Sequence, residues 1–244
     1  MTNPPARPTK SSTVPPRPGA YRRPALAGTS KPTRRRRLFW LTIIVSTLGS
    51  VAVGLAFGLG GSATEAFAGP PGPEGIPLEV GAPIAPETSA ASGQTVRGVQ
   101  CDAGEEVVYH IHTHLAIYVN GVLRPVPPGI GIVSPVAQAT AEGPFYEATQ
   151  CYYWLHVHAQ DGVIHIESPT VRAYSLGDFF AIWVQPLSSA QVGPVTGRLS
   201  VFVDGRRYYA NPANIPLRSH EDIQIDVGTP IVPPKTIDWA ATNL

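Results

Sequence analysis

From Leu38 to Gly61 the chain runs for 24 residues without a charged side chain (LFWLTIIVSTLGSVAVGLAFGLGG). An α-helix rises 1.5 Å per residue, so about 20 apolar residues cross a hydrocarbon core roughly 30 Å thick. The run predicts a single transmembrane helix over 38–61, and this constrains both flanks. Arg34 to Arg37 abut its start with six more cations upstream, and nothing after it is basic until Arg97. Positive charge is retained on the cytoplasmic side. The expected topology is single-pass in the plasma membrane, with the N-terminus cytoplasmic and the C-terminal part extracytoplasmic. The rival reading is a secreted protein cleaved near Ala68. Ala66-Phe67-Ala68 has the small-x-small form of a peptidase site, and Arg36-Arg37-Leu38-Phe39-Trp40 is similar to a twin-arginine signal. A signal's apolar region spans about 7 to 15 residues, shorter than this one, which favours the anchor.

This topology explains a charge balance that is otherwise uninformative. The chain has 18 Lys and Arg against 17 Asp and Glu, a net +1. Ten of the basic residues and none of the acidic ones precede Glu65, so the remainder carries eight basic and 17 acidic side chains. An acidic outer part argues against nucleic acid as its partner and favours cations. The lipid bilayer is the expected partner of the anchor, with a larger membrane protein complex as a further possibility. A charged content of 14%, with 27 Pro and 24 Gly, excludes a coiled coil.

Residues 1–37 hold eight prolines and almost no large apolar residue. They cannot bury enough surface to offset chain entropy, so a disordered Pro/Arg-rich cytoplasmic tail is expected. Residues 62–95, rich in Gly, Pro and Ala, read as a flexible linker, and their three collagen-like triplets from Gly69 are too few for a triple helix. The folded unit is then 96–244.

Its pattern is β. Tyr109 to Val119 alternates, Asn120-Gly121 supplies the two positive-φ residues of a tight turn, and Val122 to Val126 returns. Tyr152 to His158 and Val163 to Glu167 flank Ala-Gln-Asp-Gly, and Arg198 to Val203 passes through Asp204-Gly205 to Arg206 to Tyr209. Glu221 to Val227 adds a strand, and Ser175 is placed to cap a short helix in LGDFFAIWV. The expected fold is mostly β, an antiparallel β-sandwich or barrel with one short helix.

Six of the seven histidines form two groups: His110, His112 and His114, then His156, His158 and His165. Residues two apart on a strand share a face, so His-Ile-His-Thr-His sets three imidazoles in a row. In the second hairpin a two-residue turn pairs His158 with His165, whereas a four-residue loop pairs His156 with His165. Either register places His156, His158, His165 and Glu167 on one face. Clustered neutral imidazoles with a carboxylate nearby suit a first-row transition metal, Zn or Cu, rather than Ca or Mg. The candidate ligands are His112, His114, His156, His158 and His165. His110 and Glu167 are additional ligands or orienting groups. A structural polar patch and a pH-sensing cluster are the alternatives. His220, alone before a strand, reads as a loop or capping residue.

Cys101 and Cys151 lie in an oxidising compartment under this topology and are expected to form a disulfide, worth about 4 kcal/mol for a loop of this size. The rival use of Cys151 is a copper site with His114, His156 and Gln160, similar to phytocyanin-like cupredoxins. No nucleophile elbow, phosphate loop or His-Glu-x-x-His helix occurs. A catalytic residue is therefore not assignable, and binding is favoured over catalysis. An accessory or scaffold subunit of a membrane complex is the alternative function, and a metal-dependent hydrolase or oxidoreductase a further one.

The run CYYWLHVHAQDGVIHIESP, with HIHTHLAIYVNG before it and SLGDFFAIWVQPL after it, resembles a group of exported or membrane-anchored, often proline-rich bacterial proteins. They share a YWLHxHxxDGxIHIESP-like motif over about residues 100–235. The resemblance implies export or anchoring and carries no activity to transfer.

Overall fold

The computed structural model describes residues 65–67, 69–87 and 90–244. The expected tail at 1–37 and the apolar run at 38–61 lie outside them. Among the described residues no helix is long and apolar enough to cross a membrane.

The described part is mostly β with one α-helix. In chain order the first strands are β1 (Glu65–Ala66), β2 (Cys101–Asp102), β3 (Tyr109–Val119) and β4 (Val122–Leu123). A long hairpin follows, β5 (Ile132–Thr140) and β6 (Gly143–Tyr153), then β7 (Leu155–His156) and β8 (Val163–Ser168). After helix α1 (Leu176–Ile182) come three two-residue strands, β9 (Leu187–Ser188), β10 (Gln191–Val192) and β11 (Val195–Thr196). The chain ends with β12 (Leu199–Val203), β13 (Arg206–Tyr208), β14 (Glu221–Val227) and β15 (Lys235–Thr236).

The largest sheet runs β13-β12-β14-β3-β8-β7, with β4 also on β3, while β2-β6-β5 form a second sheet. The expected barrel does not form, because this row of strands does not close on itself. Nor is the sheet wholly antiparallel, since β14 pairs with β3 in parallel, Glu221 opposite Thr113 through Val227 opposite Val119. Three hairpin expectations are met. Asn120 and Gly121 turn with φ of 51° and 78°, Asp204 and Gly205 with 47° and 71°, and β7 returns on β8. The expected strand at 152–158 is instead broken at Trp154, which leaves β6 to pair with Cys101 and β7 to pair with β8. The indole of Trp154 donates to Asp102 Oδ2 at 2.7 Å and holds this break.

Alternation on β3 divides its two faces. Leu115 and Ile117, with Ile164 and Ile166 of β8, enter the main core, together with Leu155, Ile223 and Ile225. Ser175 caps α1 through a reciprocal box with Asp178, and Leu176, Phe179, Phe180, Ile182 and Trp183 are buried in the same core. The opposite face of β3 and β8 carries the histidines.

The segment expected as a flexible linker is the main correction. Residues 69–87 fold back on the domain as a strap: Ile76 is fully buried, Ile84 and Ala85 join the core, and Glu79 N–H donates to Gln160 O at 2.7 Å. Gly and Pro do permit an extended path, but three well-spaced apolar side chains, Ile76, Leu78 and Ile84, give the strap something to bury. Gly75, with φ of 79°, supplies the turn that brings Glu74 inward.

Candidate metal centre

Strand register builds the site. His110 lies opposite Glu167 and His112 opposite His165, and on the other edge of β8 His156 lies opposite His165. This is the register of the four-residue loop, not the two-residue turn. Residues opposite one another share a face with Cβ atoms about 5 Å apart, so His112, His165 and His156 stand abreast on three strands. Their ring centroids are 4.6 Å (His112 to His165) and 5.2 Å (His156 to His165) apart. His158, past the end of β7, is placed otherwise: its ring stacks on Phe145 at 4.3 Å and lies 4.6 Å from His165.

Two backbone carbonyls determine the tautomers of one pair. His156 Nδ1 lies 2.8 Å from Tyr153 O, and His158 Nδ1 2.6 Å from Tyr146 O. A carbonyl only accepts, so each Nδ1 carries the proton and each neutral ring presents a bare lone pair at Nε2. Those two Nε2 atoms face each other at 2.9 Å. Two lone pairs do not attract at that distance. The contact needs positive charge, either a proton on one ring or a cation between them. Glu105 Oε1 stands 3.3 Å from His158 Nε2. Burial, then His158 and His165, pushes His156 well below the usual imidazole range and opposes a proton there.

A second set of donors lies along β3 and β8. His110 Nε2 is 2.9 Å from His112 Nε2 and 3.0 Å from Glu167 Oε1, which is in turn 3.2 Å from His165 Nδ1. Burial, then the His165 and His110 charges, lowers His112 to about 3. His165 behaves oppositely: burial disfavours its charge, but Glu74, 2.8 Å from Nε2, and Glu167 outweigh it and raise it to about 10. For Glu74 burial acts upward, and the His165 charge pulls it below the usual carboxylate value. One oxygen of Glu74 and one of Glu167, both Oε2, are buried without a hydrogen-bond partner.

Among the described residues, three groups of donor atoms lie close enough to hold an ion: His110, His112, His165 and Glu167; His156, His158 and His165; and Glu105, His156 and Glu167. The set is almost closed to solvent. His112, His156, His158, His165 and Glu167 are no more than 7% exposed, while the side chains of His110 and Glu105 are 39% and 40% exposed. Such donors, mostly neutral nitrogen in a dry pocket, suit a borderline transition ion.

Of the sequence-predicted ligands, His112, His156, His158 and His165 meet, joined by His110 and Glu167. His114 does not. Val163 lies opposite it, its Nε2 is 3.5 Å from Glu79 Oε1 and its Nδ1 3.9 Å from Asp222 Oδ1, and Phe67 covers its edge at 4.6 Å. His220 stacks on Trp239 at 4.8 Å, in a turn before β14. Cys101 and Cys151 form the expected disulfide between β2 and β6, which removes the copper-thiolate alternative. Gln160, the proposed axial ligand of that alternative, instead donates to Glu79 O at 2.7 Å. Glu74 and Glu79, the second meeting His114 outside the cluster, and Glu105 are the residues that sequence reading missed. The only signal for the first two was apolar Ile76 and Leu78 beside them in a segment otherwise made of spacer residues.

Compared with protein-family models, with curated proteins and with solved structures, the chain matches none.

Proposed function

We propose that this is a membrane-anchored metal-binding protein whose extracytoplasmic β-domain holds a first-row transition ion, Zn(II) or Cu(II), between His156, His158 and His165. The facing Nε2 atoms of His156 and His158 at 2.9 Å, each opposite an Nδ1–H donated to a carbonyl, carry this reading. Two nitrogens bound about 2.0–2.1 Å from one ion lie roughly 2.9–3.4 Å apart, so little movement is needed to seat it. The carbonyls of Tyr153 and Tyr146 then do what outer partners of metal-bound imidazoles do, fixing tautomer and ring direction. Burial of the inner donors favours holding an ion over turning over a substrate. The anchor reading rests on the uncharged run at 38–61 and the cations before it.

The test uses the full chain in mild detergent, stripped with a chelator, dialysed and titrated with Zn(II) and with Cu(II). Saturable, stoichiometric uptake that falls in His156→Ala and His158→Ala is expected. A folded protein that takes up neither ion overturns the proposal. Release of the chain from membranes by alkaline extraction would overturn the anchor.

A further inference from the structure

We infer that the centre takes two ions rather than one, the second held at the solvent edge by His110, His112 and Glu167. This rests on the metal reading above and extends it. Five imidazoles, Glu105 and Glu167 gather here, and they fall into three overlapping sets, not one: an outer set around His110 and His112, an inner set around His156 and His158, and Glu105 with His156 and Glu167 between them. A single Zn(II) takes about four donors, so an ion at His156 and His158 leaves His110, His112 and Glu167 unused.

Those three are themselves arranged as ligands. His110 Nε2 sits 2.9 Å from His112 Nε2 and 3.0 Å from Glu167 Oε1, and a ring nitrogen has at most one proton to divide between two such neighbours. The other Glu167 oxygen is buried with no hydrogen-bond partner. A buried carboxylate left half-satisfied is costly, and a cation at its face relieves that cost.

His165 alone belongs to both three-histidine sets, with Nδ1 toward Glu167 and Nε2 toward Glu74. It stands between the two positions, so ions in both are neighbours. The charge permits this: Glu74, Glu105 and Glu167 line the cluster, so two dications that displace the extra proton of His165 leave a local net of +1 among neutral imidazoles. With His165 committed inward, the outer ion has three protein donors and one open position. That position lies beside His110, whose side chain is 39% exposed. An open fourth position is the form in which zinc binds water or a small exogenous ligand.

The experiment measures ions bound per chain by elemental analysis after titration of the full chain with Zn(II), for the natural sequence, His110→Ala and Glu167→Gln. Two ions are expected, falling to one in His110→Ala, whose exposed side chain can be removed without opening the core. The outer ion should also leave first under a graded chelator. One ion in both the natural protein and His110→Ala overturns the second site and leaves the first intact. Two in both places the second ion elsewhere and overturns the inference equally. No ion in either overturns this inference and the function it rests on together.

Discussion

His112 and His114 are one pleat apart on the same face of β3, with the same residue type and almost the same burial, yet only His112 stands among converging donors. The difference lies in the neighbouring strand. Opposite His112, β8 offers His165; opposite His114 it offers Val163. His112 therefore joins a chain of nitrogens, while His114 is left between two carboxylates at 3.5 and 3.9 Å, a distance suited to a buried polar contact rather than to ligation. Face is set by local alternation, whereas coordination is set by what the next strand places across the ladder.

Four measurements break or sharpen this contrast. The largest effect is expected for His156→Ala, which removes a donor nitrogen directly and should lower Zn(II) affinity by more than the ~100-fold typical of losing an outer orienting group. Competition titration reads it, and His114→Ala in the same assay should move affinity less than about threefold. Equal losses in the two variants would abolish the distinction drawn here.

Next in size is removal of the ion. At a free concentration about 100 times Kd, bound metal contributes about 2.7 kcal/mol, or roughly 5–10 °C in Tm for a domain of this size. Thermal melts with and without chelator should show that shift in the natural protein and in His114→Ala, and a smaller one in His156→Ala.

His114→Ala is expected to cost fold stability instead, about 1–3 kcal/mol in denaturant unfolding, because buried Glu79 and Asp222 lose the polar ring that lies between them and Phe67 loses its edge contact. A change below a few tenths would mean that His114 contributes nothing on either count.

The smallest effect concerns pH. Burial, partly offset by His114, pushes Asp222 up to about 6. The folded state thus holds that proton more tightly than the unfolded chain, so the stabilisation is complete below pH ~4 and is lost as pH rises through about 6. Asp222→Asn should flatten stability between pH 4 and 7, with metal affinity unchanged. An undiminished slope in the variant would assign that titration to another group.

Much of the fold was legible from residues alone wherever the signal is short-range. The Asn120-Gly121 and Asp204-Gly205 turns, the Ser175 cap and the His-bearing strands follow from φ preference, side-chain hydrogen bonding and alternation. The β5–β6 hairpin was not legible. Most of β5 is solvent-exposed, so Ala137, Gln138, Ala139 and Thr140 show no apolar alternation, and Pro135 follows a bulge at Ser134 with φ of 55°. Nor was the break at Trp154, since Tyr152 to His158 alternates as a single strand would and only the competing partners Cys101 and Ile166 divide it.

For the site, residue order by itself determined which imidazoles share a face, that His165 pairs within the second hairpin, and that two cysteines were available to close a disulfide. Only the tertiary structure decided that His110 belongs with the cluster and His114 does not. It likewise brought Glu74 and Glu79 in from a stretch whose composition suggests a spacer, and Glu105 in from a loop. The physical reason is that alternation and turn geometry act over a few residues and are written locally. Which donors come within ligand distance depends on β3, β7, β8 and the strap being packed together, and no local pattern encodes the distance between segments 30 to 90 residues apart.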